Sequence, residues 1–265
     1  MLRTALLGGF LLFALVEAQR TRNSGNRTPR QNGQFGSNGV TRNGARDAVG
    51  TEVYPGCDGK VCLPEADLCA NRKNKVGEKE YDGKSYWFSW DSDEAVLRNA
   101  RWNWFTARNY CRKRCMDLIS IESQDEQDFL GREMKKAGVR ETWSSGRLCD
   151  KEVDGCDQPR FQPYNIRGWF WASTLQGMGE TNVFDGRKYN AWSFTGPLNK
   201  SQPDGLLKAD GFGEQACMGL LDDFFGDGLA WHDTKCNDRR LIICEDLPKG
   251  NINFVRQQNP GVVIP

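Results

Sequence analysis

Histidine is nearly absent from this chain: among 265 residues there is one, His232. Any chemistry that needs an imidazole base therefore rests on a single position. Excess charge of either sign is also missing. The formal net charge is +1, which argues against bulk electrostatic binding to nucleic acid or to a membrane surface. Long apolar runs are lacking. The first, Ala5 to Val16, is too short to cross a bilayer, and no later segment is apolar enough to do so. Arg3 precedes that run and Val16-Glu17-Ala18 offers a small-x-small cleavage site before Gln19. Residues 1–18 thus read as a secretory signal peptide, and the mature protein is expected to be soluble, secreted and extracellular. No internal repeat is present.

Large apolar residues are almost missing from Gln19 to Gly50, which is rich in Arg, Asn, Gly, Thr and Gln and carries six arginines against Asp47 alone. Such a segment cannot bury enough surface to offset its ordering entropy, so residues 19–52 are expected to be a disordered basic linker. A weak contact with acidic glycans is the functional alternative to a solvated linker. Asn26-Arg27-Thr28 is a glycosylation acceptor within it.

Cysteine, in contrast, is plentiful. Ten cysteines in an exported chain read as a disulfide framework, and the even count requires no free thiol. They allow about 945 pairings. Residues 53–80 form a Cys-rich extension containing Cys57, Cys62 and Cys69. Without paired C-x-x-C halves or a nearby histidine, disulfides are a better reading there than zinc.

A folded body is expected over 81–246, followed by a loose tail over 247–265. Nine tryptophans and fourteen phenylalanines support a packed aromatic core. Tyr86 to Trp90 reads as an aromatic strand and Phe105 to Cys115 as a helix. Met116 to Ile121 reads as a short strand. Ser123-Gln124-Asp125-Glu126 is a capping box ahead of a second helix lined by Phe129, Leu130, Met134 and Ala137, which Gly138 stops. Gly138 to Ile166 reads as a polar insertion in which Cys149 and Cys156 close a local loop. Trp169 to Leu175 returns to a strand. Gly177 to Asp210 is turn-rich and irregular, and long irregular loops in compact domains are usually functional. Ala216–Leu221, Leu229–His232 and Leu241–Glu245 read as three short strands.

This order, over roughly Tyr81 to Asp246, resembles the C-type lectin-like domain. Trp171-Ala172-Ser173-Thr174-Leu175 is similar to the family's WIGL segment, and Trp192-Ser193-Phe194-Thr195-Gly196 to its W-x-x-[ST/D]-G turn. The chain ends on the family's Cys…Trp-x-Asp…Cys…Cys-Glu pattern, through Cys217, Trp231, Asp233, Cys236, Cys244 and Glu245. The Trp-Phe-Trp strand and the Cys149/Cys156 insertion resemble arthropod secreted members. The implied fold is α+β: two helices, short antiparallel sheets and a long irregular loop, stapled by disulfides. The resemblance also implies the pairs Cys111–Cys244 and Cys217–Cys236. It leaves open which cysteine of the extension meets Cys115.

In sugar-binding members of that family a calcium ion holds two sugar hydroxyls. Carried over position by position, its ligands would be Gln202, Asp204, Glu214 and Asp233, with Pro203 as the cis proline. The Gln-Pro-Asp order resembles the galactose-type triplet. His232 stands where the family has a ligating Asn, and imidazole nitrogen suits calcium poorly. Glu214 lies three residues before Cys217 rather than two, and no aromatic follows the triplet until Phe212. Such a site is expected to be weak, in the range of about 10⁻⁴–10⁻³ M. Zinc ligation or pH sensing is the other chemistry open to His232. Asn199-Lys200-Ser201 is a second glycosylation acceptor, immediately before the triplet.

The expected partner is accordingly a glycan, with an extracellular protein or a matrix such as cuticle as the alternative on the same fold. Gln215-Ala216-Cys217-Met218-Gly219 matches a cysteine-protease signature. His232 follows Cys217 rather than preceding it, however, and export predicts an oxidised Cys217, so no enzyme is expected.

Overall fold

The computed structural model describes residues 72, 76–149, 156, 158–174, 176–184, 186–205, 215–247, 261 and 263. All lie in the unit Asn43–Pro265. The leader, the linker, Cys57, Cys62, Cys69, Asn26 and Glu214 fall outside the described residues. In chain order the described elements are β1 (Glu78–Tyr81), β2 (Lys84–Phe88), α1 (Ala95–Asn99), α2 (Trp104–Lys113), β3 (Met116–Leu118), α3 (Gln124–Ala137), β4 (Glu141–Leu148), α4 (Tyr164–Arg167), β5 (Trp169–Trp171), β6 (Gln176–Gly177), β7 (Cys217–Asp222), β8 (Leu229–Thr234) and β9 (Leu241–Asp246).

Strand alternation sorts the core into two faces. Trp87, Ile242, Cys244 and Phe170 pack toward α2, through Trp104, Ala107 and Cys111. Their neighbours Tyr86, Phe88, Leu241, Ile243, Trp169 and Trp171 pack toward α3, through Phe129, Leu130 and Met134. The main helices therefore cover opposite sides of the sheet. Both are capped: Asn103 accepts from the Thr106 N–H at 2.9 Å and Ser123 from the Glu126 N–H at 3.2 Å. The Glu126 carboxylate reaches back to the Glu122 N–H, at 2.8 Å, one residue before the cap. Gly138 ends α3 in the left-handed region, with φ 66°.

Strand β9 is the centre. It pairs antiparallel with β2 and β3, and parallel with β4. Strand β4 also pairs with β7 and β5, shifting register between Trp143 and Arg147. Three disulfides fasten these strands: Cys111–Cys244, Cys149–Cys156 and Cys217–Cys236. Cys115 is disulfide-bonded as well.

The structure corrects several expectations. Gly138 to Ile166 is no mere insertion, because it contains β4, a buried strand at the middle of the sheet. The first helix begins at Trp104 and stops at Lys113, since Cys115 takes a left-handed turn with φ 60°. Residues 89–91 leave the aromatic strand as a 3-10 turn.

Charge is buried at the junction of α2 and β3. Arg108 and Asp117 are both fully enclosed and form a two-pronged pair, at 3.0 and 3.3 Å. Arg112 adds a third contact to Asp117 at 3.1 Å, and Arg108 also donates to the Ala172 carbonyl. Burial pulls Arg108 down to about 10, still charged at neutral pH. Removing one partner of such a pair strands the other charge, at a cost of about 3–5 kcal/mol. Asp117→Ala is expected to lose about that much in urea unfolding, and a loss below ~1 kcal/mol would contradict the assignment.

A second buried cluster predicts a pH dependence. Glu245 accepts from the Ser120 N–H at 2.8 Å and lies 3.7 Å from Lys84. Burial, helped by the charge of Glu126 and opposed by Lys84, pushes Glu245 up to about 8. Unfolded, its value is about 4.3. Between these values the folded chain holds the extra proton, so the contribution of Glu245 is complete at low pH and is lost as pH rises through about 8. Glu245→Gln, neutral throughout, is expected to gain on the natural chain as unfolding is measured from pH 5 to pH 9. A difference that does not change with pH would refute this.

Candidate functional site

The loop face is built on a layer of aromatic rings. Trp231 of β8 stands edge-on to Trp171, Tyr189 and Trp192, at 5.4, 5.5 and 6.0 Å between centroids, and Trp169 meets Trp192 at 4.8 Å. The Trp231 indole N–H donates to Gln127 of α3 at 2.8 Å. Residues 191–193 run beside β8: Trp231 N–H donates to Ala191, and Ser193 N–H to Trp231.

Residues 193–205 fold back on it. Gln202 N–H donates to the Ser193 carbonyl at 2.7 Å, and the Gln202–Pro203 bond is cis. A side chain at position 196 would overlap the Gln202 carboxamide, so Gly196 is what admits it. The buried carboxamide donates to the Lys200 carbonyl at 3.3 Å. Asn199 is exposed at the tip of this turn.

Asp233 closes the loop from below. Its two carboxylate oxygens accept the backbone N–H groups of Asp204, at 3.2 Å, and Gly205, at 3.0 Å. The carboxyl is pushed up to about 7, by burial first and by the charge of Asp204 second, against the pull of those N–H donors. Two carboxyls therefore share one enclosed corner.

His232 addresses a different partner. Its Nε2 lies 2.8 Å from Asp227 Oδ2, and its ring packs against Phe225 at 5.3 Å. Burial lowers its pKa against the opposing charge of Asp227, so the ring is neutral at pH 7 with Nε2–H donating. Ser193 donates to the same carboxylate, and Phe225 N–H approaches its other oxygen at 3.4 Å. Burial would raise Asp227, but the Ser193 hydrogen bond and His232 hold it below the ordinary value. Phe225 and Asp227 were not singled out in the sequence, and Ser193 entered it only as part of the Trp192–Gly196 turn. The signal for Asp227 is a glycine-bracketed turn, Gly226-Asp227-Gly228, five residues before His232.

The structure thus brings Asp204 to Asp233, turns Gln202 toward Gly196 and sends His232 to Asp227. Among the described residues, no three His, Cys, Asp or Glu side chains gather as a metal-binding group. Cys217 is bonded to Cys236, and a disulfide sulfur is no thiolate nucleophile. Among the described residues no helix is long and apolar enough to cross a membrane.

The disulfide from α2 to β9, the second from β7 to the 236 turn, and the ringed loop face together decide the architecture. The fold is that of a C-type lectin-like domain. No family model matches the chain. It is 26% identical over 167 residues to CD209 antigen-like protein A of Mus musculus, covering 63% of this chain and 49% of that protein. It is 28% identical over 170 residues to asialoglycoprotein receptor 2 of Rattus norvegicus, covering 63% of this chain and 40% of that protein. The chain thus spans half or less of the length of these two relatives. Among solved structures, the mouse scavenger receptor C-type lectin carbohydrate-recognition domain aligns with TM-score 0.42 and 20% identity, over 65% of this chain and 96% of that one.

If Asp233 is the anchor of this lectin-like loop, its loss should be local. A hydrogen bond to a charged group contributes about 1.5–3 kcal/mol. In Asp233→Ala the amides of Asp204 and Gly205 are expected to exchange hydrogen at least about tenfold faster, while those of β9 stay protected. Unchanged exchange at both amides would remove the anchor role.

Proposed function

We propose that the chain is an exported glycan-recognition protein that holds its ligand on the face formed by residues 193–205, the 223–228 turn and β8. The observation that carries this reading is the Asp204–Asp233 corner, where the buried Asp233 fixes the backbone that carries the half-buried Asp204. Carboxylates are the usual acceptors for sugar hydroxyls, and the rings of Phe194 and Phe225 are exposed on the 193–205 segment and the 223–228 turn. Those rings supply the apolar faces that sugar rings pack against. Similarity to an asialoglycoprotein receptor supports a carbohydrate ligand. Three disulfides among the described residues support an oxidising, extracellular setting.

The carboxylates of Asp204 and Asp233 and the carboxamide of Gln202 are hard oxygen donors of the kind calcium takes, but they fall short of its six to eight ligands in number, both Asp233 oxygens already accept backbone N–H groups, and Gln202 is turned toward Gly196. When bound, the ion would supply direct coordination of sugar hydroxyls. The chain's own groups do the rest: Asp233 fixes the loop backbone, Gly196 seats Gln202, and the Asp227–His232–Ser193 network holds the adjoining turn. Calcium is expected to act weakly, with half-effect at about 10⁻⁴–10⁻³ M.

A calcium-independent protein or matrix partner is the second reading. It is favoured by the exposed rings Phe184, Phe194 and Phe225, of which Phe184 and Phe194 pack on each other. Glycan-array binding with galactose-type sugars, repeated in chelator, separates the two. Glycan binding that falls several-fold in chelator, and is lost in Asp204→Asn, is expected. Absence of glycan binding at any calcium concentration, with retained binding to a protein or chitin surface, would overturn the proposal in favour of the second reading.

A further inference from the structure

Beside the loop face, and separate from Gln202, Asp204 and Asp233, lies an open cavity of about 570 Å³ between β5, β6, Phe184 and residues 186–190. Its size is within the ~300–1,000 Å³ usual for small-ligand sites. Three rings line it: Trp171 at the base, Tyr189 on one wall and Phe184 at the mouth. Two cations, Arg187 and Lys188, stand in succession along the same wall, and both are exposed. Lys188 is positioned rather than loose. Its stem lies over Gly179 and its ammonium donates to the Gly177 carbonyl, which uses one of three donors. The acid in the lining, Glu122, is 3.5 Å from Lys84 and so is partly neutralised from outside the cavity. The cavity is continuous with the loop face, because the Phe184 ring packs on that of Phe194 at 5.4 Å between centroids.

Flat apolar walls suit the C–H faces of a sugar ring, and paired cations suit a sulfate or carboxylate on it. A concave, ring-lined site favours a saccharide over an acidic peptide, whose extended backbone needs an exposed sheet edge or a groove. We propose that this cavity is a second binding site, for an anionic saccharide unit. The inference stands on the cavity alone; where the loop face also holds a glycan, the two sites would read one chain of sugars, the charged residue seated here.

The test is titration calorimetry on the full chain with four probes: a sulfated disaccharide, its desulfated parent, a uronate-bearing disaccharide and an oligoglutamate peptide. The sulfated or the uronate disaccharide is expected to bind at least tenfold more tightly than the neutral parent, and which of the two is tighter identifies the anion. Raising salt should weaken that preference. The double variant Arg187→Gln/Lys188→Gln should abolish it while leaving neutral-glycan binding within twofold, and Phe184→Ala should weaken both disaccharides. Asp204→Asn should spare the anionic preference. If the anionic disaccharides bind and the neutral glycans do not, the loop-face reading fails and the cavity stands. Equal affinity for sulfated and desulfated probes, an anionic preference that survives the double variant, or an oligoglutamate affinity matching that of the disaccharides overturns the cavity assignment.

Discussion

The bond between Cys111 and Cys244 is the constraint on which the rest of the domain is hung. It joins the last full turn of α2 to β9, the strand that touches β2, β3 and β4. Closing a loop of 133 residues removes a large share of the unfolded chain's freedom; a disulfide typically contributes about 2–4 kcal/mol. Its position matters as much as its energy. With α2 pinned to β9, Arg108 is carried into the interior, where it finds Asp117 and the Ala172 carbonyl. That contact reaches from the helix to the end of β5, and so to the tryptophan layer beneath the loop face.

The loop face follows a different logic from the core. Its conformation depends on few apolar contacts of its own. It is held instead by directed hydrogen bonds: Asp233 to two successive amides, Asn190 to the Trp192 N–H, and Asp227 to Ser193 and His232. Each of these acceptors is satisfied from more than one direction or sits at a buried joint, so the segment is shaped although it has almost no regular structure. A recognition surface gains from this arrangement, because the polar groups that shape the loop are also those that a polyhydroxylated ligand would address.

Much of this was legible from residue order. Strands rich in Trp, Phe and Ile announced themselves, as did the capped helix from Gln124 to Ala137. Strand β4 did not, and the reason is physical. Its residues Thr142, Ser144, Ser145 and Arg147 are polar, so no apolar alternation marks it. They are buried because each has a partner supplied by the fold: Leu241 O for Thr142, Met218 O for Ser144, the Ser120 and Ser173 hydroxyls for Ser145, and Ala216 O for Arg147. The candidate site was legible in the same uneven way. Asp204, Pro203 and Asp233 stood out by their order along the chain. The role of His232 did not, since its partner Asp227 lies in a turn whose acids look like ordinary solvated surface until the structure folds it over the imidazole.

The arrangement of strands around that first disulfide also bears on how the domain behaves when pulled. Strands β1 and β9 flank β2 and both run antiparallel to it. Tension applied at the first residue of β1 and the last of β9 would load the two ladders in shear, many hydrogen bonds at once, rather than unzip them singly. Even after those ladders part, the 133 residues between Cys111 and Cys244 stay out of the load path, withholding roughly 450 Å of contour at ~3.4 Å per residue. The loop face lies inside that withheld length. A ligand held there would remain seated on an intact platform while the edges of the domain gave way.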